Sequence, residues 1–238
     1  MLKIDLHTHT IASGHGFNTI LEMAKEASKR GIKILGISEH GPAVPGSATI
    51  TYFNNLERPP RKLFGVKVLY GAELNIINGK GGVDLPEKCL KEKLDFVSFS
   101  FHENCGYEDK GEEMNTETLL KALNNPYISI LTHIYRTKFP INVAKVAQAA
   151  CDKNKLLEIS TTHFEYNKLD EERWVNLLKM IEVAKKNKCK ILLGSDAHVF
   201  SEIGVDKNFQ KNKKKLDLTD KDIANNDIRY LRKFIKNI

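Results

Sequence analysis

The sequence lacks the long apolar runs of membrane proteins and the cysteine spacings of small metal-binding motifs. No stretch approaches the ~18 consecutive apolar residues of a membrane-spanning helix. The N-terminal stretch "MLKIDLHTHT" has no signal-peptide apolar core. None of the four cysteines, at positions 89, 105, 151 and 189, forms a pair with zinc-knuckle or redox spacing, so reduced thiols are expected. These absences predict a soluble, cytoplasmic protein.

The charge balance favours an anionic partner. The 238 residues carry a formal net charge of +7, and a basic chain attracts phosphate esters, nucleic acid or anionic surfaces. The lysines are spread along the chain, and no basic strip carries the interleaved aromatic residues that stack single strands. We therefore expect a small phosphorylated substrate and no membrane partner, with nucleic acid as the less favoured partner. The oligomeric state, monomer or small homo-oligomer, is left open.

Seven short apolar runs, rich in β-branched residues and bounded by turn residues, predict strands. Most are nearly continuous in apolar character, which is typical of parallel sheets covered on both faces. The predicted strands are Leu2–Leu6, Ile32–Ser38, Val66–Ala72, Phe96–Phe101, Ile128–Leu131, Leu156–Ile159 and Ile191–Leu193.

Helical patterns lie between several of these strands. Residues 19–31 begin with a capping box, Thr19 to Glu22, and residues 142–154 and 171–187 carry apolar stripes at helical spacing. Residues 219–238 predict a last helix, whereas the proline-rich stretch 41–62 predicts a long loop. The β-α alternation predicts one α/β domain, residues 1–238, with a parallel sheet. Periodicity alone leaves open whether that sheet is open or closed into a barrel.

Histidines and two acids gather where the predicted strands end. The carboxyl ends of parallel strands form the edge at which α/β active sites lie. Imidazole and carboxylate are ligands for Zn²⁺, Mn²⁺ or Fe²⁺, and a His-x-His pair on a strand sends both rings to one face. The group is too large for one ion and suits three, with one carboxylate bridging two. It consists of His7, His9, His15, His40, Glu73, His102, His133, Asp196 and His198.

The same residues lie in six motifs, "DLHTHT", "GISEHGP", "GAELNI", "FSFHE", "ILTHI" and "GSDAH". In this order they resemble the PHP superfamily, named for polymerase and histidinol phosphatase domains, with segment spacing closest to the bacterial YcdX-type phosphatases. The resemblance covers nearly the whole chain. It implies a distorted, TIM-barrel-like (βα)₇ barrel with a trinuclear metal centre at the C-terminal ends of the strands. It also implies a phosphatase that hydrolyses small phosphate monoesters.

The resemblance assigns each ligand to an ion. Three divalent ions with two carboxylates leave a positive pocket that would attract a phosphate and lower the pKa of a bridging water. We therefore expect a metal-bridging hydroxide, held by Glu73, Asp196, His7 and His9, to attack phosphorus, with Zn²⁺ favoured over Mn²⁺ or Fe²⁺. Further contacts to ligands or substrate are expected from Asp5, Glu39, Arg136 and His163. The implied ligand sets are His7, His9, Glu73 and Asp196 for one ion, Glu73, His102 and His133 for the second, and His15, His40 and His198 for the third.

The chain departs from the family pattern at two motifs. Glu39 stands where the family usually has Asp, and residues 133–136 read His-Ile-Tyr-Arg where His-Pro-Gly is frequent. Neither departure removes a ligand, but both bear on substrate fit.

Other functions stay open at this point. A histidinol-phosphate phosphatase, a nucleotide phosphatase or a 3′-exonuclease would use the same ligands. A metal-stabilised binding module without turnover is less favoured because all nine ligand positions are filled. An amidohydrolase normally needs only one or two ions, whereas His15, His40 and His198 point to a third.

Overall fold

The computed structural model describes residues 1–238, and one sheet runs through the whole chain. Its seven main strands are parallel, in the order β1-β2-β4-β5-β6-β7-β8, while the short β3 pairs antiparallel with β4. All seven predicted strands are present; β3 was not predicted. The strands are β1 (Ile4–Asp5), β2 (Ile34–His40), β3 (Lys62–Leu63), β4 (Val66–Asn75), β5 (Phe96–Ser100), β6 (Ile130–Leu131), β7 (Leu156–Ser160) and β8 (Ile191–Gly194).

The sheet closes into a barrel by a seam between the chain beyond β1 and the chain beyond β8. Thr8 and Ala197 form a parallel bridge, and the His9 N–H donates to the Ala197 carbonyl at 2.8 Å. Lower in the seam the Asn225 side chain substitutes for direct strand pairing. It donates to the carbonyl oxygens of Ile4 and Leu193 and accepts from the Leu193 N–H, each at 2.8 Å. The predicted distorted (βα)₇ barrel is confirmed, and this seam is part of its distortion.

Nine α-helices accompany the strands. Helices α1, α5 and α7 confirm the three predicted from apolar stripes, and the capping box at Thr19 is present. No helix has the length and apolar character needed to cross a membrane. The helices are α1 (Ile20–Lys29), α2 (Ile50–Asn54), α3 (Glu87–Glu92), α4 (Gly111–Ala122), α5 (Val143–Asp152), α6 (Thr162–Glu165), α7 (Glu171–Lys186), α8 (Lys207–Asn212) and α9 (Ile228–Leu231).

Two predictions for irregular segments are wrong. The tail is not one helix but two 3₁₀ turns followed by the short α9. Asn225 is drawn into the barrel seam, and the Asp227 side chain accepts from the Tyr230 N–H and so caps a new helix start. The stretch 41–62 is also not all loop, because α2 lies within it.

The cysteines also differ from expectation. Cys151 at the end of α5 and Cys189 just before β8 form a disulfide, with a Cα–Cα distance of 6.0 Å, while Cys89 and Cys105 are free and buried. The two paired residues are 38 apart in sequence, so no local spacing indicated the pair. They meet because α5 packs beside α7 and β7, and β8 follows α7.

The inside of the barrel below the strand ends is filled by apolar side chains. Phe96 is fully buried there, and its ring occupies the space left by Gly36 and Gly71, where a Cβ would come within 3 Å of it. The C-terminal segment closes the end where the strands begin. This lower interior consists of Ile4, Leu6, Ile34, Leu69, Phe96, Ile130, Leu156, Leu192, Ala224, Leu231 and Ile235.

Candidate metal centre

Strand register brings the ionisable side chains to one edge of the barrel. His40 ends β2 directly beside Glu73 on β4, in register with it. His133 and Asp196 follow β6 and β8 with left-handed backbones, at φ of 34° and 59°. That conformation is uncommon outside glycine and concentrates at functional sites. The chain therefore turns sharply at two residues whose side chains face the same centre.

Glu73 lies at the middle of this centre. Its carboxylate is fully buried, and Thr132 Oγ1 donates to Oε1 at 2.7 Å. Five imidazoles surround the two oxygens at 3.2–3.6 Å, an arrangement suited to a bridging ligand. The rings belong to His7, His9, His40, His102 and His133.

The His-x-His pair points both rings at a shared position. His7 Nε2 and His9 Nε2 lie 3.0 Å apart, and Asp196 Oδ1 lies 3.4 Å from each nitrogen. Nitrogen and oxygen donors that converge at this spacing can hold a divalent cation between them.

A second group lies on the other side of His9. The rings of His40 and His198 each stack 4.3 Å from His9. The His40 Nδ1 and His198 Nε2 atoms are buried without any hydrogen-bond partner, a costly state that metal coordination would relieve. His15 is exposed, with its ring 4.6 Å from that of His198.

These donor atoms fit divalent metal ions of the kind that prefer nitrogen and oxygen ligands. In four sets of three residues the ligand atoms all lie within 4.8 Å of one another. Eight of the nine predicted ligands occur in these sets, and His15 does not. The grouping of ligands into these sets also differs from the grouping implied by family resemblance, since His9, and not His15, lies with His40 and His198. The four sets are His9/His40/His198, His7/His133/Asp196, His7/His9/Glu73 and His40/Glu73/His102.

Glu158 is a residue of this centre that sequence reasoning missed. It lies on β7 inside the barrel, is 1% exposed, and its two carboxylate oxygens lie 2.8 and 2.9 Å from His7 Nδ1. The Nδ1–H therefore donates to Glu158, which leaves the Nε2 lone pair for a metal. One signal was available, since an acid inside the apolar run "LLEIS" is rarely buried without a partner.

Glu39 supports His9 through a serine. Its carboxylate accepts from the Ser13 hydroxyl and from the N–H and hydroxyl of Thr10. Ser13 Oγ in turn lies 3.0 Å from His9 Nδ1 and accepts from the His40 N–H. The chain of bonds directs the Nδ1–H of His9 away from the centre, so Nε2 faces it.

Asp5 contacts backbone and no imidazole ring. Its carboxylate accepts from the N–H groups of Ser195 at 3.0 Å and Gly204 at 2.8 Å, with a longer contact of 3.4 Å to the His7 N–H. These bonds cross the barrel seam and position the strand ends that carry the ligands.

The charges of the centre suit metal binding. Burial lowers the pKa of His9 to about 3 and that of His102 to about 4. Burial opposes ionisation of Glu73, but the imidazoles of His7 and His102 outweigh it and hold the pKa of the Glu73 carboxyl well below its usual value. Ionised acids and neutral imidazoles are the forms that bind metal.

His7 is the exception among the imidazoles. Burial disfavours its charged form, yet the carboxylates of Glu158, Glu73 and Asp196 raise the pKa of His7 well above its ordinary value. Three acids that face one imidazole form a strongly negative site, which a divalent cation would neutralise.

A cavity of about 580 Å³ opens over the centre. Its volume is in the range of small-molecule sites. Arg136 and His163, both predicted as substrate or supporting residues, line it. His163 is buried, and its Nδ1 lies 2.9 Å from the Tyr135 hydroxyl, which accepts from the Ser160 N–H. The Tyr135 hydroxyl is placed to donate to Nδ1, and in that tautomer Nε2 of His163 carries the ring proton.

Comparison with known proteins identifies the family. The model of the PHP domain matches residues 5–162. A protein from Clostridium botulinum named "Probable phosphatase" is 42% identical over 234 residues, covering 98% of this chain and 94% of that protein. One of the same name from Acetivibrio thermocellus is 39% identical over 233 residues, with coverage of 98% and 95%.

A solved structure shares the fold. The histidinol phosphate phosphatase of Lactococcus lactis, complexed with zinc, L-histidinol and phosphate, superposes with a TM-score of 0.58 at 18% identity. The match covers 91% of this chain and 94% of that one. This chain belongs to the PHP domain family.

Proposed function

We propose that residues 1–238 form a single-domain, metal-dependent phosphatase that hydrolyses small phosphate monoesters at a trinuclear centre. The observation that carries the proposal is the convergence of imidazole and carboxylate ligand atoms beside the cavity, including two buried imidazole nitrogens that have no hydrogen-bond partner. Family membership and the names of the relatives support a hydrolase that acts on phosphate esters. A cytoplasmic location stays a prediction from the sequence.

The ions would be held by His7, His9, His15, His40, Glu73, His102, His133, Asp196 and His198. Zn²⁺ is favoured because imidazoles outnumber carboxylates in this set, and Mn²⁺ or Fe²⁺ would accept the same ligands. When bound, divalent ions activate water as a nucleophile and neutralise the charge of the phosphoryl group.

The chain's own residues orient these ligands and the substrate. Glu158 and the Glu39–Ser13 pair hold His7 and His9 with Nε2 toward the centre. Arg136 and His163 line the cavity beside these ligands, where they can contact the part of a bound substrate that lies outside the metal centre. The left-handed turn at Asp196 keeps its carboxylate beside His7 and His9.

The test measures phosphate release from sugar, nucleotide, amino-alcohol and aryl phosphates, with metals quantified in the same sample. We expect release that stops on chelation and returns on adding metal, and that is lost in His9→Ala while the variant stays folded. Full activity after complete metal removal, or in His9→Ala, would overturn the proposal. Degradation of a labelled oligonucleotide with no release from small esters would favour a 3′-exonuclease instead.

A further inference from the structure

The cavity wall beside the metal centre carries cations without acidic partners. Arg136, from the turn after β6, and Lys168, from the turn after α6, both line the cavity, and neither forms an ion pair. Lys138 lines the same wall two residues from Arg136, but it is paired with Glu103 at 2.9 Å. The fold therefore supplies an acid for one of two neighbouring cations and none for the other.

Arg136 and Lys168 come from turns next to His163, since the Lys168 N–H donates to the His163 carbonyl at 2.9 Å and the Arg136 N–H to the His133 carbonyl at 3.1 Å. Burial, followed by the nearby His133, lowers the pKa of His163 to about 3, and the charges of Arg136 and Lys168 add to this effect. The ring is held by Tyr135 through Nδ1 and lines the cavity. Its centroid lies 5.9 Å from that of His133, which contacts Glu73 at 3.2 Å. Three donors thus lie next to the metal centre on the side of β6 and β7.

No free carboxylate is available in the cavity outside the metal centre. Glu103 is paired with Lys138, and Glu202 accepts from the Tyr166 hydroxyl at 2.7 Å and the His198 N–H at 2.8 Å. A substrate whose organic part is an ammonium would find one acid without a cationic partner, Glu202, whose oxygens already accept hydrogen bonds, and would meet two cations without an acidic partner. An anionic organic part would meet three donors.

We propose that Arg136, Lys168 and His163 form a second anion subsite, and that the substrate is a small phosphate monoester that carries a second anionic group. This inference rests on the proposed function, in which the metal centre binds the phosphoryl group that is cleaved. The second group is a carboxylate or another phosphate, which the guanidinium, ammonium and imidazole N–H recognise by the same charge-assisted bonds.

Matched esters test the proposal in the metal-loaded protein. Glycerol 3-phosphate is compared with 3-phosphoglycerate, fructose 6-phosphate with fructose 1,6-bisphosphate, and histidinol phosphate serves as the cationic member. We expect kcat/KM about 10–100-fold higher for the doubly anionic member of a pair, through KM, as charge-assisted bonds of this kind would give. A higher kcat/KM for the doubly anionic ester in the first pair alone identifies the second anionic group as a carboxylate. The same preference in the second pair alone identifies it as a phosphate.

Variants locate the preference. Arg136→Met should raise KM for the doubly anionic ester about 10-fold and leave KM for its partner within about 2-fold. Lys138→Met, a change of the same kind in the ion-paired neighbour, should leave both values unaltered. An equal loss for both esters in Arg136→Met would show that Arg136 holds the cleaved phosphate, and would overturn the subsite. So would equal kcat/KM within the pairs.

A binding measurement separates the two proposals. Calorimetry with 3-phosphonopropionate and n-propylphosphonate, neither of which can be hydrolysed, should show tighter binding of the first, lost in Arg136→Met. If no ester is hydrolysed, the proposed function fails, and this binding preference still decides the subsite. Equal affinity for the two phosphonates excludes a carboxylate as the second group, and together with equal kcat/KM in the fructose pair it overturns the subsite even in an active enzyme.

Discussion

The two halves of the barrel interior are chemically opposite. The lower half packs Phe96 against apolar neighbours and glycines, whereas the upper half contains acids and imidazoles, of which Glu73, Glu158 and His9 are as inaccessible as the core. The same strands supply both halves, because the inward residues of β4 run from Leu69 to Glu73 and those of β7 from Leu156 to Glu158. Two residues along β7 and four along β4 thus separate packing that stabilises the fold from charges that suit a ligand.

The largest expected effect belongs to the upper half. Glu73→Gln removes the charge at the middle of five imidazoles, and we expect turnover to fall about 10³-fold or more, since the centre can no longer hold its ions in place. Phosphate release and metal content are the measurements. Thermal unfolding of the metal-free protein should move to lower temperature, because the carboxylate that His7 and His102 hold ionised is lost. Full turnover in a variant whose only defect is lower stability would reverse the roles of the two halves.

The matching change in the lower half is Phe96→Ala. Removing a fully buried ring should lower the free energy of unfolding by about 3–5 kcal/mol. Denaturant unfolding of the metal-free protein measures this loss. Metal affinity of the remaining folded fraction should stay close to that of the parent, and a large loss of affinity at unaltered stability would show that the halves are not separable.

Glu158 lies at the boundary between the apolar lower half and the charged upper half of the barrel. Glu158→Gln keeps a hydrogen-bond acceptor for His7 Nδ1 but removes the charge that makes the imidazole a better ligand. We expect metal affinity to fall about 10–100-fold, with turnover largely recovered at saturating metal. Metal titration followed by activity measures both quantities. Unaltered affinity would mean that Glu158 serves packing alone.

The sequence predicted the strands and the ligand-bearing edge because both depend on local pattern. Apolar runs indicate strands, and residues just past their ends meet once the strands are parallel. Helices α2, α3, α4, α6 and α8 were not predicted, and in α4 polar residues such as Asn115 and Thr118 are buried and bonded to other segments. An apolar stripe was therefore absent.

Within the site, the sequence indicated ligands but not the residues that orient them. Glu158 acts on His7 across 151 positions, and the Asn225 side chain joins strands that are 189 residues apart. Such contacts form only when the barrel closes, so no local spacing of residues in the sequence indicates them. Asp5 illustrates the same limit, since its proximity to His7 in sequence suggested a ring contact, whereas its carboxylate binds the backbone across the seam.

The smallest expected effects come from one substitution made in each half. An added Cβ at Gly71 would lie 2.5 Å from the Phe96 ring, and one at Gly194 would lie 2.6 Å from the His7 Cβ and 3.1 Å from the Glu158 carboxylate carbon. Both contacts are too short, so a neighbour must move, at a cost of about 1–3 kcal/mol.

In Gly71→Ala the neighbour is a core ring, and only the free energy of unfolding should fall. In Gly194→Ala it is a ligand and the acid that orients it, so metal affinity should fall as well. Denaturant unfolding and metal titration of both variants measure the two effects. If the location of the clash within the barrel determines which property changes, only Gly194→Ala loses metal affinity. Equal losses of stability and of metal affinity in the two variants would contradict this expectation.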